Sequence, residues 1–167
     1  MNDKYVIGLD YGSDSVRAVL VNTADGNCLA SHVYWYPRWK EGKYCDPVSN
    51  RFRQHPLDHL EGLEETIKVV LSKSGVSKEQ VKAICVDTTG SSPLPVDNKG
   101  QSLALTPEFA ENPNAMMVLW KDHTAIKEAD EIIVLHDGSI IERGHHNELI
   151  ELDDGVYKRL TEKQHNS

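Results

Sequence analysis

Short apolar or alternating runs, separated by turn-forming residues, fill the first part of the chain. Tyr5-Val-Ile-Gly-Leu-Asp10 and Val16-Arg-Ala-Val-Leu-Val21 flank Tyr11-Gly-Ser-Asp-Ser15 and predict a β-hairpin. Asn22 to Asn27 is turn chemistry, and the alternation from Cys28 to Tyr36 predicts a third strand that completes an antiparallel meander. Pro37 to Gln54 reads as a long polar-aromatic loop. The period then changes. Leu57, Leu60, Leu63, Ile67, Val70 and Leu71 recur on one helical face, with Pro56 suited to the first turn and Ser74-Gly75 to the stop.

Ser77-Lys-Glu-Gln80 has capping-box spacing for a short helix, and Ala83-Ile-Cys-Val86 is a continuous apolar run that predicts a buried strand ending at Asp87. Leu94–Val96 and Leu103–Leu105 around Asp97-Asn-Lys-Gly100 predict another hairpin, followed by a Pro-interrupted loop and the apolar Met117-Val-Leu-Trp120. The clearest hairpin signal lies near the end: Asp137-Gly138 sits between Glu131-Ile-Ile-Val-Leu135 and Ser139-Ile-Ile-Glu-Arg143. Two short helices follow, Glu148 to Leu152 with Asn147 as its cap, and Val156 to Lys163 after Gly155. The resulting order, βββαβ with further strands, defines an α/β chain without internal repeats.

Composition narrows the function classes. With 167 residues, 39% apolar and 26% charged, the chain is large enough for one globular domain or a domain with an appendage. No apolar run reaches the length of a membrane span, and Met1-Asn-Asp-Lys4 leads into a strand instead of a signal peptide, so a cytoplasmic protein is expected. Cys28, Cys45 and Cys85 are odd in number and widely spaced, which fits a reducing compartment better than a disulfide or Cys-X-X-Cys framework. A net charge of −8 disfavours nucleic acid and anionic membranes as partners. The acidity is uneven, with nine acids against four bases in residues 129–167 and seventeen against fourteen before them.

The most suggestive chemistry is in Gly8-Leu-Asp-Tyr-Gly-Ser-Asp-Ser-Val-Arg17. Gly12 allows close backbone approach, Ser13 and Ser15 can donate to phosphate oxygens, and Asp10 can hold Mg²⁺ through water. The same spacing also serves plain turns, and both readings stand at this level. His55 and His59, four apart, and His145-His146 with Glu148 invite metal readings, but lack further ligands and suit helix starts better. Glu61, Glu64, Glu65 and Lys68 read as a solvated charged face.

Four segments in order, "YVIGLDYGSDSVRAVLVN", "YPRWKEGKYCDPVSNRFRQHPLDHLEGLEETI", "AICVDTTGSSPLPVDNKG" and "VLWKDHTA", resemble the FGGY-type sugar kinases of the actin-like ATPase superfamily, the ribulokinase branch in particular. The resemblance spans about residues 4–128 and implies a partial ribonuclease-H-like domain with a mixed sheet. It implies ATP-dependent phosphorylation of a pentulose, L-ribulose or a close relative, with ATP and Mg²⁺. By motif, Asp10, Gly12, Ser13 and Ser15 would bind phosphate, Asp10 would serve the metal, and Thr89, Gly90, Ser91, Trp120, Lys121 and Asp122 would border the sugar. The family's general base, second phosphate loop and adenosine site have no recognisable counterpart, so no catalytic residue is nominated and an inactive fragment is expected.

From Ala129, "ADEIIVLHDGSIIERGHHNELIELDDGVYKRLTEKQ" resembles the C-terminal end of ABC transporter ATP-binding subunits, implying a division into residues 1–128 and 129–167. No Gly-x-x-x-x-Gly-Lys-Ser/Thr precedes that tail. His123 lies too close to Ala129 to match that family's switch histidine. A non-catalytic chimera or interaction module, self-associating through unfinished sheet edges, is the competing reading. An ABC ATPase fragment is a third.

Overall fold

Residues Gly12–Asp14 reverse the chain between β1 (Tyr5–Tyr11) and β2 (Ser15–Asn22), and a second turn leads into β3 (Cys28–Trp35). In that second turn the carboxamide of Asn22 accepts from Ala24 N–H, and the carboxylate of Asp25 from Asn27 N–H, both at 2.9 Å. These side chains replace ladder bonds that a reversing backbone gives up. The computed structural model describes residues 3–126 and 131–165. Its contacts divide the chain into two units, one of residues 1–45 and 52–120, the other of 46–51 and 121–167. The 128/129 boundary expected from the motifs lies outside the described residues.

The first unit holds a mixed four-stranded sheet of order β3-β2-β1-β6, with β6 spanning Val81–Thr88. β1 pairs antiparallel with β2 and parallel with β6, as a partial ribonuclease-H-like domain requires. One face of β1 and β2, Tyr5, Ile7, Leu9, Tyr11, Val16, Ala18 and Leu20, forms the core with Val70, and Leu63, Ile67 and Leu71 pack against it. Those last four residues lie on α2 (Pro56–Ser74), whose limits match the expected Pro and Gly signals. His55 caps it by accepting Leu57 N–H at 3.1 Å on Nδ1, and Gly75, at φ +68°, closes it.

The buried stripe of α2 differs from the expected one. Leu60 is exposed, while Asp58, Gly62, Thr66 and Val70 are buried at a spacing of four. A Cβ at Gly62 would lie 2.5 Å from Val16 Cγ1 and 2.9 Å from Tyr34 Cδ1, so the missing side chain lets the helix backbone reach the sheet. Asp58 is buried because it has partners: its carboxylate accepts from Arg38 at 2.7 Å and from Trp39 N–H at 3.1 Å. Arg38 also makes two bonds of 2.8 Å to Glu61, which is therefore more than a solvated charge. Glu64 and Lys68 lie exposed, as expected of a solvated face, and pair with each other there.

Three further expectations are corrected. The 37–54 loop contains α1 (Pro37–Lys40), β4 (Cys45–Asp46) and β5 (Arg51–Gln54), and β5 pairs with β7 (Met117–Val118). The hairpin around Asp97 reduces to a single bridge, Val96 to Ser102, and Leu103–Leu105 turn into a 3₁₀ helix. Asp97 Oδ1 accepts the N–H groups of both Lys99 and Gln101 at 2.8 Å, which curls the backbone too tightly for a ladder. The third concerns β6, predicted as buried. It is a strand, but Ile84 and Val86 are 51% and 62% exposed, because it is the last strand of its sheet and α2 covers its neighbours instead.

In the second unit β8 (Ile132–His136) and β9 (Ser139–Gly144) form the expected hairpin. Asp137 and Gly138 both take positive φ, +47° and +75°, the conformation of a two-residue hairpin turn that follows strand twist. Helices α3 (His146–Leu149) and α4 (Val156–His165) follow. Asn147 lies inside α3 and does not cap it; the chain enters at His145, whose N–H donates to Glu148 at 3.0 Å. Glu142 on β9 accepts from the N–H groups of Val156 and Tyr157 at 2.6 and 2.9 Å, fixing the start of α4. Val134, Leu149 and Tyr157 form this unit's core. No helix among the described residues is long and apolar enough to cross a membrane.

Candidate functional site

Strand direction places two motif segments at one end of the sheet. Because β1 and β6 run parallel, Asp10 and Asp87 are register partners and point to the same face, and Arg17 is the partner of Asp10 on β2. All three line a shallow cavity of about 250 Å³. Asp10 makes no hydrogen bond or ion pair among the described residues, whereas Asp87 accepts Thr88 N–H at 2.9 Å. Two adjacent carboxylates at strand ends fit a hydrated divalent cation. Asp87 was legible as a strand end but was not assigned to the site.

The turn after Asp10 is already closed on itself. Gly12 donates its N–H to Ser15 O at 2.9 Å, and Ser15 Oγ donates to Asp14 at 3.1 Å, so these two groups are engaged within the loop. Ser13 Oγ has no partner among the described residues and is the remaining hydroxyl donor for an anion. A Cβ at Gly12 would meet only Ser15 O at 3.4 Å, an ordinary contact, so the fold itself does not demand glycine there.

A buried support holds this turn. Gln54 Nε2 donates to Ser13 O at 2.5 Å, and Gln54 Oε1 lies 3.1 Å from His59 Nε2. The His59 ring is stacked between Tyr11 and Tyr36, with centroids 5.2 and 4.8 Å away. Tyr36 is fully buried, its hydroxyl has no hydrogen-bond partner among the described residues, and burial raises its pKa well above the ordinary phenol value. None of this was visible in sequence, because a Gln two residues before a helix carries no pattern of its own.

Burial pushes the His59 imidazole below its ordinary pKa of 6.5, and burial followed by the Arg38 charge does the same for His55. Both histidines are held neutral in the fold, so below about pH 6.5 the unfolded chain binds protons that the folded chain does not. Stability is complete above that pH and falls as pH drops toward the depressed folded values, by up to about 1.4 kcal/mol per pH unit for each group. Urea denaturation at pH 7.5 and 5.5 checks this; equal midpoints contradict it.

The second motif segment joins the first through the backbone. Thr89 N–H donates to Tyr11 O at 3.2 Å, extending the β1–β6 pairing and setting Thr89 beside Gly12. Gly90 faces open space, and Ser91 adopts φ +54°, a left-handed conformation that costs a non-glycine residue on the order of 1 kcal/mol. Ser92 Oγ is buried without a hydrogen-bond partner among the described residues. Trp120 is 60% exposed, so it is not a core residue. Lys121 and Asp122 belong to the second unit, where Asp122 Oδ1 accepts from Thr124 N–H and Oγ1 at 3.1 and 2.6 Å. A second cavity, about 530 Å³, lies against Asp14, Trp35, Trp39 and Lys40, none assigned from sequence. The remaining histidine pairs act locally: His55 caps α2, and His146 Nδ1 lies 2.8 Å from the Tyr157 hydroxyl.

Comparison with known proteins identifies the family. The chain is 50% identical over 139 residues to a ribulokinase of Vibrio parahaemolyticus, covering 82% of this chain and 24% of that protein. It is 39% identical over 137 residues to a ribulokinase of Halalkalibacterium halodurans, covering 79% of this chain and 24% of the relative. The chain thus spans about a quarter of the length of these relatives. In structure it resembles a gluconate kinase from Lactobacillus acidophilus, with a TM-score of 0.55 at 20% identity over 75% of this chain and 21% of that one, which shows the fold. The profile of the N-terminal domain of the FGGY carbohydrate kinases matches residues 5–143, beyond the motif boundary at 128. With a match over most of its length, the chain belongs to the FGGY family of carbohydrate kinases.

Proposed function

We propose that this chain carries the phosphate- and sugar-facing part of a pentulose kinase acting on L-ribulose or a close relative in the cytoplasm. The observation that carries the reading is the Thr89–Tyr11 hydrogen bond, which sets the 89–91 segment against the Asp10–Ser15 turn at one end of the sheet. Ser13 would donate to a phosphate oxygen, and Asp10 with Asp87 would hold the hydrated Mg²⁺ of Mg-ATP. Bound Mg-ATP would supply the transferable phosphoryl group and neutralise its charge. Thr89, Gly90, Ser91 and Trp120 would border the sugar, the left-handed Ser91 exposing its backbone for hydrogen bonding. Lys121 and Asp122 are assigned to the sugar by motif alone.

Phosphoryl transfer also needs an acceptor for the hydroxyl proton and a site for the nucleoside. No residue in 123–167 is nominated for either, so the chain by itself is proposed to bind without turning over. Residues 129–167 are proposed as an ABC-type ending that contributes a hairpin and two helices and no nucleotide site.

The test combines a coupled ADP-release assay on L-ribulose with calorimetric titration of Mg-ATP. The expected result is no turnover, together with Mg-ATP binding that Asp10→Asn weakens about tenfold, roughly 1.4 kcal/mol. Robust turnover would overturn the inactive reading. Absence of any binding would favour a non-catalytic interaction module, the reading that the exposed face of β6 supports.

A further inference from the structure

Two hydrogen bonds from outside the Gly12–Ser15 turn hold its carbonyl groups. The Gln54 amide donates to Ser13 O at 2.5 Å, and Tyr36 N–H donates to Asp14 O at 2.9 Å. A trans peptide points its C=O and N–H in opposite directions. Gln54 is buried, so the Ser13 carbonyl faces the interior and the Asp14 N–H, on the same peptide unit, faces away from it. Asp14 is exposed, and its N–H donates to no group among the described residues. Together with the Ser13 hydroxyl it is a donor open to an anion.

The orientation of the Gln54 amide is itself fixed from behind. Ser13 O can only accept, so Gln54 turns its NH₂ group toward it and Oε1 the other way. There Oε1 lies 3.1 Å from His59 Nε2, which carries the ring proton in order to donate. The opposite amide orientation would set acceptor against acceptor at Ser13 and donor against donor at His59. The His59 ring is held in its plane by stacking between Tyr11 and Tyr36. Both tyrosines also bind backbone beside the turn, Tyr36 through its N–H to Asp14 O and Tyr11 through its carbonyl, which accepts Thr89 N–H.

We propose that Gln54, backed by His59, is a positioning residue of the phosphate turn: it selects the orientation of the Ser13–Asp14 peptide in which the Asp14 N–H faces an incoming phosphate. That the phosphate belongs to Mg-ATP rests on the kinase reading; the orientation of the peptide does not. The selection matters because the reverse orientation would present the Ser13 carbonyl oxygen to the anion in place of a donor. The Asp14 carboxylate already places a negative charge beside the turn, so a misdirected carbonyl would leave little to attract a phosphate. Gln54→Glu keeps the length of the side chain and sets a carboxylate oxygen against Ser13 O. Two acceptors repel, and rotation of the peptide relieves them by turning the Asp14 N–H inward to the carboxylate.

Amide hydrogen exchange read by NMR on the whole chain, with calorimetric titration of Mg-ATP, tests this. In the wild-type chain the Asp14 amide should exchange rapidly with solvent, and its resonance should move as Mg-ATP is added. In Gln54→Glu, with unchanged circular dichroism, exchange at Asp14 should slow at least about tenfold and the Mg-ATP dissociation constant should rise at least about tenfold. A substitution that merely destabilised the fold would speed exchange across the core and would not slow it at Asp14. Unchanged exchange at Asp14, or wild-type affinity in the variant, would overturn the proposal and leave the kinase reading standing. If the wild-type chain binds no Mg-ATP, the kinase reading fails, and the exchange comparison alone decides the proposal. If Gln54→Glu does not fold, Gln54→Met takes its place, since it removes the donor without adding charge. It should release the peptide to both orientations and shift or broaden the Asp14 amide resonance; an unchanged resonance would overturn the proposal.

Discussion

Replacing Asp58 with alanine is expected to lower the unfolding free energy by about 3–5 kcal/mol. Asp58 is fully buried on α2, and its carboxylate is the shared acceptor for the Arg38 guanidinium and the N–H of Trp39. Removing it leaves a largely covered cation and a partly buried donor with less compensation, and the surviving Arg38–Glu61 bonds are too exposed to replace it. Arg38 and Trp39 are half of α1, so the loss should also release this short helix, which has no side-chain cap of its own. Glu61→Ala removes the more exposed partner and should cost about 1 kcal/mol. Urea denaturation followed by tryptophan fluorescence measures both, and equal costs would show that burial of the carboxylate does not set the hierarchy.

Gly62→Val should be about as severe, at least roughly 3 kcal/mol. Alanine at this helical position would gain about 1 kcal/mol in propensity over glycine. Its Cβ would nevertheless lie inside contact distance of both Val16 and Tyr34. Val16 is fully buried on β2 and cannot withdraw without opening the core beneath it. Sterics therefore outweigh propensity, and Gly62→Ala should already destabilise by about 1–3 kcal/mol, with valine adding two methyls at the tightest point. Thermal unfolding of both variants tests the order; a stabilised Gly62→Ala would mean that the helix shifts away from the sheet at little cost.

These two positions mark what the sequence could not convey. The periodicity of leucines located α2 to within its caps, but it assigned the inward face to the largest residues and set Leu60 on it. The helix instead turns Asp58, Gly62 and Thr66 inward, because close approach and a long-range ion pair outweigh the burial of one more leucine. The strand meander, β6 and the Asp137-Gly138 hairpin were legible, since each depends on local alternation and turn chemistry. Burial of β6 was not, because an apolar run reports what a strand could cover and not whether another element lies beside it.

The candidate site divides along the same line. Asp10 and the Gly12–Ser15 turn are contiguous and could be read directly, and the 89–91 segment followed from the resemblance. Gln54, His59 and Tyr36 are brought to the turn only by folding, and no spacing links them. The left-handed residue falls on Ser91, although the adjacent Gly90 is the better local candidate, so the strain became visible only in the structure.

The self-closed Gly12–Ser15 turn bears on the timing of recognition. Its internal bond, and the Gln54 bond to the Ser13 carbonyl, order the loop when the chain folds, before any anion arrives. Most of the conformational entropy of the loop is already surrendered, so little of the intrinsic affinity is spent on freezing backbone. On the proposed reading, a turn ordered in this way would meet its anion in one step, at a rate set by diffusion and charge, with no loop closure to wait for.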